Sequence, residues 1–364
     1  MKLAIVGIRG LPNTYGGFET LADYLVDYLA KDFEITVYCS SKDMTTRGSE
    51  YKGARLKYIP ITSHGALGIV YDSLALVRAA LTNDKILFLG FGGGFVMPLL
   101  RPFRKKMVLN IGGLDWKRDK WSPKARKVIK TAERLLVKNS PQIISDNVGI
   151  QEYLKSEYGR DSTLIAYGGD QATKLPITDE ARQQYPFLNG EYAFIVTRIQ
   201  SDNNIDMLCE AFDAQSPMPL VIVGNWNNSP YGIETKAKYS GRPNVVLLDA
   251  IYDRTKLDTL RSNCTIYLHG HSAGGTNPSL CEAMHLGLPV FAFASGYNEH
   301  TSENKALYFK TADELRQLMA GYKQLNLGAM GDALRTIAER DYRWSVIADN
   351  YKQVFLSNVP ATSS

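Results

Sequence analysis

Residues 269–289, HGHSAGGTNPSLCEAMHLGLP, hold the densest set of chemistry-bearing residue types in the chain. Gly274 and Gly275 carry no side chain that would keep a phosphate away from backbone amides. Thr276-Asn277-Pro278-Ser279 reads as a helix start, with capping residues around a first-turn proline. A helix that begins there aims its free N–H groups and the positive end of its dipole at an anion. Glu282 follows one to two turns later, too deep to be a capping acid, with apolar neighbours in CEAM. A carboxylate at that depth can accept two hydrogen bonds from the vicinal hydroxyls of a ribose. His269 and His271 sit two apart at a strand end and could line a sugar pocket; with no third ligand nearby, zinc is excluded.

Three further stretches have the same character. In VTRIQSDNNIDMLCEAF (196–212), Arg198 stands at a strand end, where a guanidinium's paired donors match the oxygens of a departing diphosphate. GIRGLPNTYGGFET (7–20) is a long loop between a strand and a helix, and its glycines are not spaced as a dinucleotide fingerprint. Gly16 and Gly17 stand directly before the helix, where the backbone can approach a ligand. Asp115, in NIGGLDWKR, follows another strand and is either an acid of the site or a cap or turn residue. There is no D-x-D pair, Walker lysine loop, G-x-S-x-G elbow or HExxH. The expected chemistry therefore needs no metal and no cofactor, and works by positioning and anion stabilisation.

These stretches need strand ends to hold them, and the chain supplies strands in alternation with helices. KLAIVGI, EITVYCS, ARLKYIPI, KILFLG, KMVLNIGG, QIISDN and TLIAYGG read as strands in the first half. FETLADYLVDYLAK between the first two has Leu21, Leu25 and Leu29 at helical spacing. Residues 170–191 are polar and proline-containing, and the alternation restarts at YAFIVTRI. The pattern predicts α/β architecture with parallel βαβ units, twice over. The expected domains are 1–170 and 191–341, with a linker over 171–190 and a final helix and polar tail over 342–364. In two doubly wound domains facing a central cleft, ligands sit at the carboxyl ends of the strands.

The four cysteines, Cys39, Cys209, Cys264 and Cys281, form no CxxC pair, which points to reduced thiols rather than a disulfide framework. The first residues read as a strand rather than a signal peptide. ILFLGFGGGFVMPLL, interrupted by glycines and a proline, falls short of the ~20 apolar residues of a membrane span. A soluble cytoplasmic protein is expected, held peripherally at a membrane by the helix over 122–138. Ser122 and Pro123 start that helix; Val128, Ala132, Leu135 and Leu136 make its apolar stripe, and Lys127, Lys130, Arg134 and Lys138 a basic one. Trp116 and Trp121 flank its start, and Arg101, Arg104, Lys105 and Lys106 lie upstream. The pattern suits anionic inner-leaflet headgroups. Nucleic acid is excluded as a partner, because no recognition module accompanies the charge.

GGTNPSLCEAMHLGLPV resembles the donor-binding segment of retaining glycosyltransferases of family four, which have the two-Rossmann GT-B fold. VTRIQSDNNIDMLCEAF resembles their diphosphate-gripping strand-loop-helix. GIRGLPNTYGGFET and HGHSAGGTNPSL together resemble bacterial rhamnosyltransferases of capsule and O-antigen synthesis. The resemblance implies transfer of L-rhamnose from dTDP-rhamnose to a lipid-linked oligosaccharide, with retention of configuration. It implies Glu282 on the ribose, Arg198 on the diphosphate, and Gly275, Thr276 and Asn277 around phosphate and sugar. It implies Ala250, Ile251 and Tyr252 along the base, and Gly16 and Gly17 on the acceptor side. The family's paired glutamates lie eight apart; Glu282 matches the second and Gly274 replaces the first. The family's lysine five residues after the arginine is Asn203. A nucleotide-sugar epimerase on the same fold and a non-catalytic nucleotide-sugar-binding subunit are the alternatives.

Overall fold

The computed structural model describes residues 1–12, 16–118 and 121–357. Residues 13–15 of the first glycine loop and the tail 358–364 lie outside the described residues. The chain forms two compact units, Met1–Tyr167 joined by the segment from Trp344, and Gly168–Arg343.

The first unit begins with β1 (Lys2–Val6), α1 (Gly17–Leu29), β2 (Glu34–Ser40), a short β3 (Glu50–Tyr51) and β4 (Ala54–Ile59). α2 (Gly65–Thr82), β5 (Lys85–Leu89), β6 (Met107–Asn110), α3 (Pro123–Asn139), β7 (Gln142–Ser145), α4 (Val148–Tyr158) and β8 (Thr163–Leu164) follow. The sheet order is β3-β4-β2-β1-β5-β6-β7-β8, parallel except for the β3 edge. β1 and β5 are almost wholly buried because helices cover both faces, and they accordingly read as unbroken apolar runs. α1 buries Leu21, Leu25 and Leu29, as their spacing requires.

The second unit holds α5 (Asp179–Gln184), β9 (Ala193–Val196), α6 (Ile205–Glu210), β10 (Leu220–Val223), α7 (Pro230–Tyr239), β11 (Val245–Leu248) and α8 (Arg254–Ser262). It continues through β12 (Ile266–His269), α9 (Pro278–His285), β13 (Val290–Phe293), α10 (Tyr297–Thr301), β14 (Leu307–Phe309), α11 (Ala312–Gly321) and α12 (Leu327–Asp341). Its sheet order is β11-β10-β9-β12-β13-β14, all parallel. α13 (Trp344–Leu356) then packs on α1 in the first unit, where the rings of Trp344 and Tyr24 stack at 4.2 Å. Each unit is thus a doubly wound α/β layer structure, as expected. In each, strand order reverses at one point: between β1 and β5, and between β9 and β12. The long glycine loop follows β1, and the stretch around Gly274 follows β12.

Two local features add to the sequence reading, and one expectation is corrected. Segment 168–175 is stapled to the second unit: Gly169 N–H donates to Tyr342 at 2.8 Å, Thr173 N–H to Asp258 at 3.1 Å and Leu175 N–H to Ser262 at 3.2 Å. α12 carries two glycines, and Gly331 is where it comes within reach of the Gly287 carbonyl, 2.1 Å from any added Cβ. α3 is rotated from the expected stripe. It buries Ile129, Ala132, Glu133, Leu136 and Val137 and leaves Val128 exposed.

The cause of that rotation is Glu133, a buried acid that needs a cation and donors. Lys130 supplies the cation at 3.4 Å, with Glu157 also at 2.9 Å. Its ammonium lies 4.6 Å from the ring centres of Trp116 and Tyr153 and 4.9 Å from that of Tyr158. Lys130 is therefore an internal cation in an aromatic cage and not part of an outward basic stripe. Lys127, Arg134 and Lys138 do point outward, joined by Lys124.

Candidate functional site

In the second unit the loops after β9 and β12 leave adjacent parallel strands at the switch point, the position where open α/β sheets bind ligands. They are laced together. Asn204 Nδ2 donates to the Gly270 carbonyl at 2.8 Å, and Ser272 N–H and Oγ both donate to the Asp202 carbonyl, at 2.8 and 3.0 Å. Gly270 has to be glycine, since a Cβ there would stand 2.2 Å from the Asn203 carbonyl.

Asn203 is the knot of this lacing. It is buried; its Nδ2 donates to the Arg198 carbonyl at 2.8 Å and its Oδ1 lies 2.9 Å from His271 Nδ1. With the amide N–H already donating, Oδ1 is the acceptor, so His271 carries its proton on Nδ1. Asn298 fixes the same segment by donating to the His271 carbonyl at 2.9 Å. Asn203 thus holds the loops rather than presenting a group to solvent. The Arg198 side chain is exposed and makes no ion pair among the described residues.

The helix start lies where its capping residues put it. Asn277 Oδ1 accepts from Ser279 N–H at 3.0 Å and from its hydroxyl at 2.9 Å, and Pro278 opens α9. Gly275, at φ +91°, makes the turn into it. Thr276 and Gly275 are buried, Gly274 half-buried. Ala250 and Ile251 are half-buried after β11, while Tyr252 is 78% exposed just before the Asp253 cap of α8.

Glu282 is committed in a way its sequence neighbours gave no sign of. One carboxylate oxygen accepts from Gln171 and the other from Arg261. Arg261 is buried, and its other terminal nitrogen meets Asp258 at 2.5 Å. Burial alone lowers an arginine's affinity for its proton, but the carboxylates of Glu282 and Asp258 outweigh it and hold Arg261 above its ordinary range. Gln171 reaches Glu282 because Gly169 packs backbone to backbone on α9: an added Cβ would sit 2.4 Å from the Cys281 carbonyl carbon. Arg261, Asp258 and Gln171 were missed from the sequence; the one available signal was the i, i+3 spacing of Asp258 and Arg261. His269 is buried with Nε2 unpartnered, and burial, then His271, pushes it down to about 3. It is a neutral core residue under the loop.

In the first unit, the loop after β1 folds back on α1. Glu19 accepts from Arg9 N–H at 3.0 Å, and Gly16, at φ +121°, precedes the helix. Gly17 is the first, exposed residue of α1. Asp115 lies in a turn after β6, with its carboxylate accepting from Trp121 Nε1 at 2.8 Å and Arg118 at 3.3 Å. No group of three or more His, Cys, Asp or Glu among the described residues could hold a metal ion.

Residues 177–320 match the family described as glycosyl transferases group 1, and residues 1–170 a domain of unknown function, DUF1972. No curated protein matches the chain. Among solved structures, it is similar to sucrose-phosphate synthase from Thermosynechococcus elongatus, with TM-score 0.79 and 18% identity over 97% of this chain and 98% of that one. Anabaena Alr3699/HepE in complex with UDP-glucose gives TM-score 0.75 and 16% identity, over 97% and 99%. A glycosyltransferase from Rickettsia africae ESF-5 gives TM-score 0.72 and 13% identity, over 99% and 98%. The chain therefore has the GT-B pattern of two Rossmann-like units, and most of its second unit matches the group 1 glycosyltransferase family.

Proposed function

We propose that the protein is a retaining glycosyltransferase acting in bacterial surface polysaccharide synthesis. It moves a sugar, read here as L-rhamnose from dTDP-rhamnose, onto a lipid-linked oligosaccharide. The observation that carries the reading is the laced pair of loops at the second unit's switch point, with the α9 N-terminus among them and Glu282 in the helix behind. The structure of HepE with UDP-glucose, a protein of similar fold, supports a nucleotide-sugar donor.

On this reading Arg198 and the amides at Gly275, Thr276 and Asn277 hold the diphosphate. Glu282 takes the ribose hydroxyls, and Ala250, Ile251 and Tyr252 border the base. The bond from the anomeric carbon to the diphosphate oxygen breaks through an oxocarbenium-like state. The acceptor hydroxyl attacks from the same face, and its proton passes to the departing diphosphate. Arg198 and the helix N-terminus stabilise the charge that develops there. His271, held by Asn203, lines the sugar pocket. Gly16, Gly17 and Asp115 serve the acceptor. The protein works at the cytoplasmic membrane face, drawn by the outward cations of α3.

One observation favours a second reading, a binding subunit without transfer. The family's lysine is replaced by Asn203, buried and spent on other loops, and its first glutamate by Gly274.

The test is a thermal-shift panel with dTDP, UDP, GDP, ADP and NAD on wild type and Arg198→Ala, followed by transfer to a lipid-linked acceptor. A ligand at about 100 times its Kd adds ~2.7 kcal/mol to the native state. A shift by dTDP that Arg198→Ala loses is the expected result. UDP or GDP shifting instead keeps the transferase and changes the sugar. Binding with no transfer to any acceptor selects the second reading. A shift by NAD alone, or by none, removes the donor site.

A further inference from the structure

Twelve large apolar side chains are exposed among the described residues, and seven of them lie on one layer of the first unit. Leu67, Val70, Leu74 and Leu81 are on α2; Phe95 and Leu99 follow β5; Val128 is on α3. They are 40 to 78% exposed. The α2 residues recur at helical spacing and form a stripe opposite the buried Tyr71, Ala75, Leu76 and Ala79. A helix side turned to water is normally charged. Here its one exposed charge is Arg78.

Direct contacts join these elements. The glycine run after β5 is wedged between two helices: a Cβ on Gly93 would stand 3.0 Å from Leu76 of α2, and one on Gly94 2.2 Å from the Ala132 carbonyl of α3. Phe95 and Leu99 therefore emerge between α2 and α3. The next turn, Arg101–Lys106, is stapled to the end of α2 by Lys106, which donates to the Ala80 and Asn83 carbonyls at 2.9 and 2.7 Å. Arg101, Arg104 and Lys105 are exposed there, beside the Leu81 end of the stripe. Neither they nor the outward Lys124, Lys127, Arg134 and Lys138 make an ion pair among the described residues.

We propose that this layer is an interfacial membrane-binding face: the α2 stripe, Phe95 and Leu99 enter the acyl boundary while the flanking cations meet anionic headgroups. The inference rests on the membrane reading above and extends it from attraction to insertion. α2 is long and apolar enough to cross a bilayer, but it joins β4 and β5 of one sheet and so lies along the surface instead. An apolar stripe buried some 5–10 Å into the headgroup boundary, with Lys and Arg at its margins, is the physics of a helix lying in the interface plane. Charge decides against a second copy as the occupant. A two-fold contact would set cations against the same cations, whereas anionic lipid neutralises them.

The experiment is co-sedimentation of the full chain with phosphatidylcholine vesicles, with and without phosphatidylglycerol, at low and high salt. Three proteins are compared: wild type; Leu74→Glu with Leu99→Glu; and Lys127→Gln with Arg134→Gln and Lys138→Gln. Wild type is expected to bind anionic vesicles and to keep a salt-resistant fraction. The apolar variant loses that fraction at least tenfold, with its melting unchanged. Leu99→Trp reads insertion directly, as a blue shift of its emission on vesicles. If the apolar variant binds like wild type, insertion is overturned while electrostatic docking stands. Wild type failing to bind anionic vesicles at low salt overturns both. A wild-type dimer that the apolar variant converts to monomer assigns the face to a second copy and overturns the proposal.

Discussion

Arg261 and Glu282 form a buried pair that ties α8 to α9, and Asp258 holds the guanidinium's other arm. A fork that serves two carboxylates cannot be reduced to a point charge. Arg261→Met leaves both acids without their cation and is expected to cost the second unit about 3–5 kcal/mol in denaturant unfolding. Arg261→Lys recovers only part of the loss. Unchanged unfolding of Arg261→Met would show that the pair contributes nothing.

Gln171 occupies the oxygen of Glu282 that Arg261 leaves over. If that carboxylate receives ribose hydroxyls, Gln171 has to yield. Gln171→Ala is then expected to tighten nucleoside diphosphate binding by about fivefold, the scale of one ~1 kcal/mol hydrogen bond. Gln171→Glu sets two acids together and weakens it. Calorimetry giving equal affinities for all three proteins would remove Gln171 from the ribose position.

Lys130 separates an internal cation from a surface one. Lys130→Met strips the charge partner from the buried Glu133 and is expected to destabilise the first unit by ~3 kcal/mol. Lys127→Gln, outward on the same helix, stays within about 0.5 kcal/mol of wild type. Equal melting temperatures would return Lys130 to the surface.

His269 makes stability depend on pH. The unfolded chain takes up a proton near pH ~6.5. The folded chain, with His269 pushed down to about 3 by burial, does not. The unfolded state therefore binds more protons between those values, and stability falls as pH drops below ~6.5, by up to about 1.4 kcal/mol per pH unit. Chemical unfolding between pH 7 and pH ~5 measures it. His269→Gln should flatten the slope; an unaltered slope would assign it to other groups.

What could be read from the sequence was what depends on near neighbours. The period of Leu21, Leu25 and Leu29 forecast the buried face of α1, and Asn277-Pro278 forecast the start of α9. Glu282 was recognisable as an acid in apolar company, but its partners lie 21 and 111 residues away and only the fold unites them. The α3 stripe was misjudged by one position because its periodicity counts Glu133 as polar. Its burial follows from Tyr153 and Tyr158, which donate to it from α4. Asn203 looked like a lost phosphate ligand, and it is the residue that fastens two loops.

The return of α13 also sets an order of biogenesis. Trp344, Ile347, Tyr351 and Phe355 complete the core of the first unit, and Tyr351 receives a hydrogen bond from the buried Asn110 at 2.8 Å. During translation that core waits open while the whole second unit, Gly168–Arg343, is synthesised, so the later unit can finish folding first. An isolated fragment ending at Tyr167 would carry the same open core and need a chaperone or a supplied α13 peptide to stay in solution.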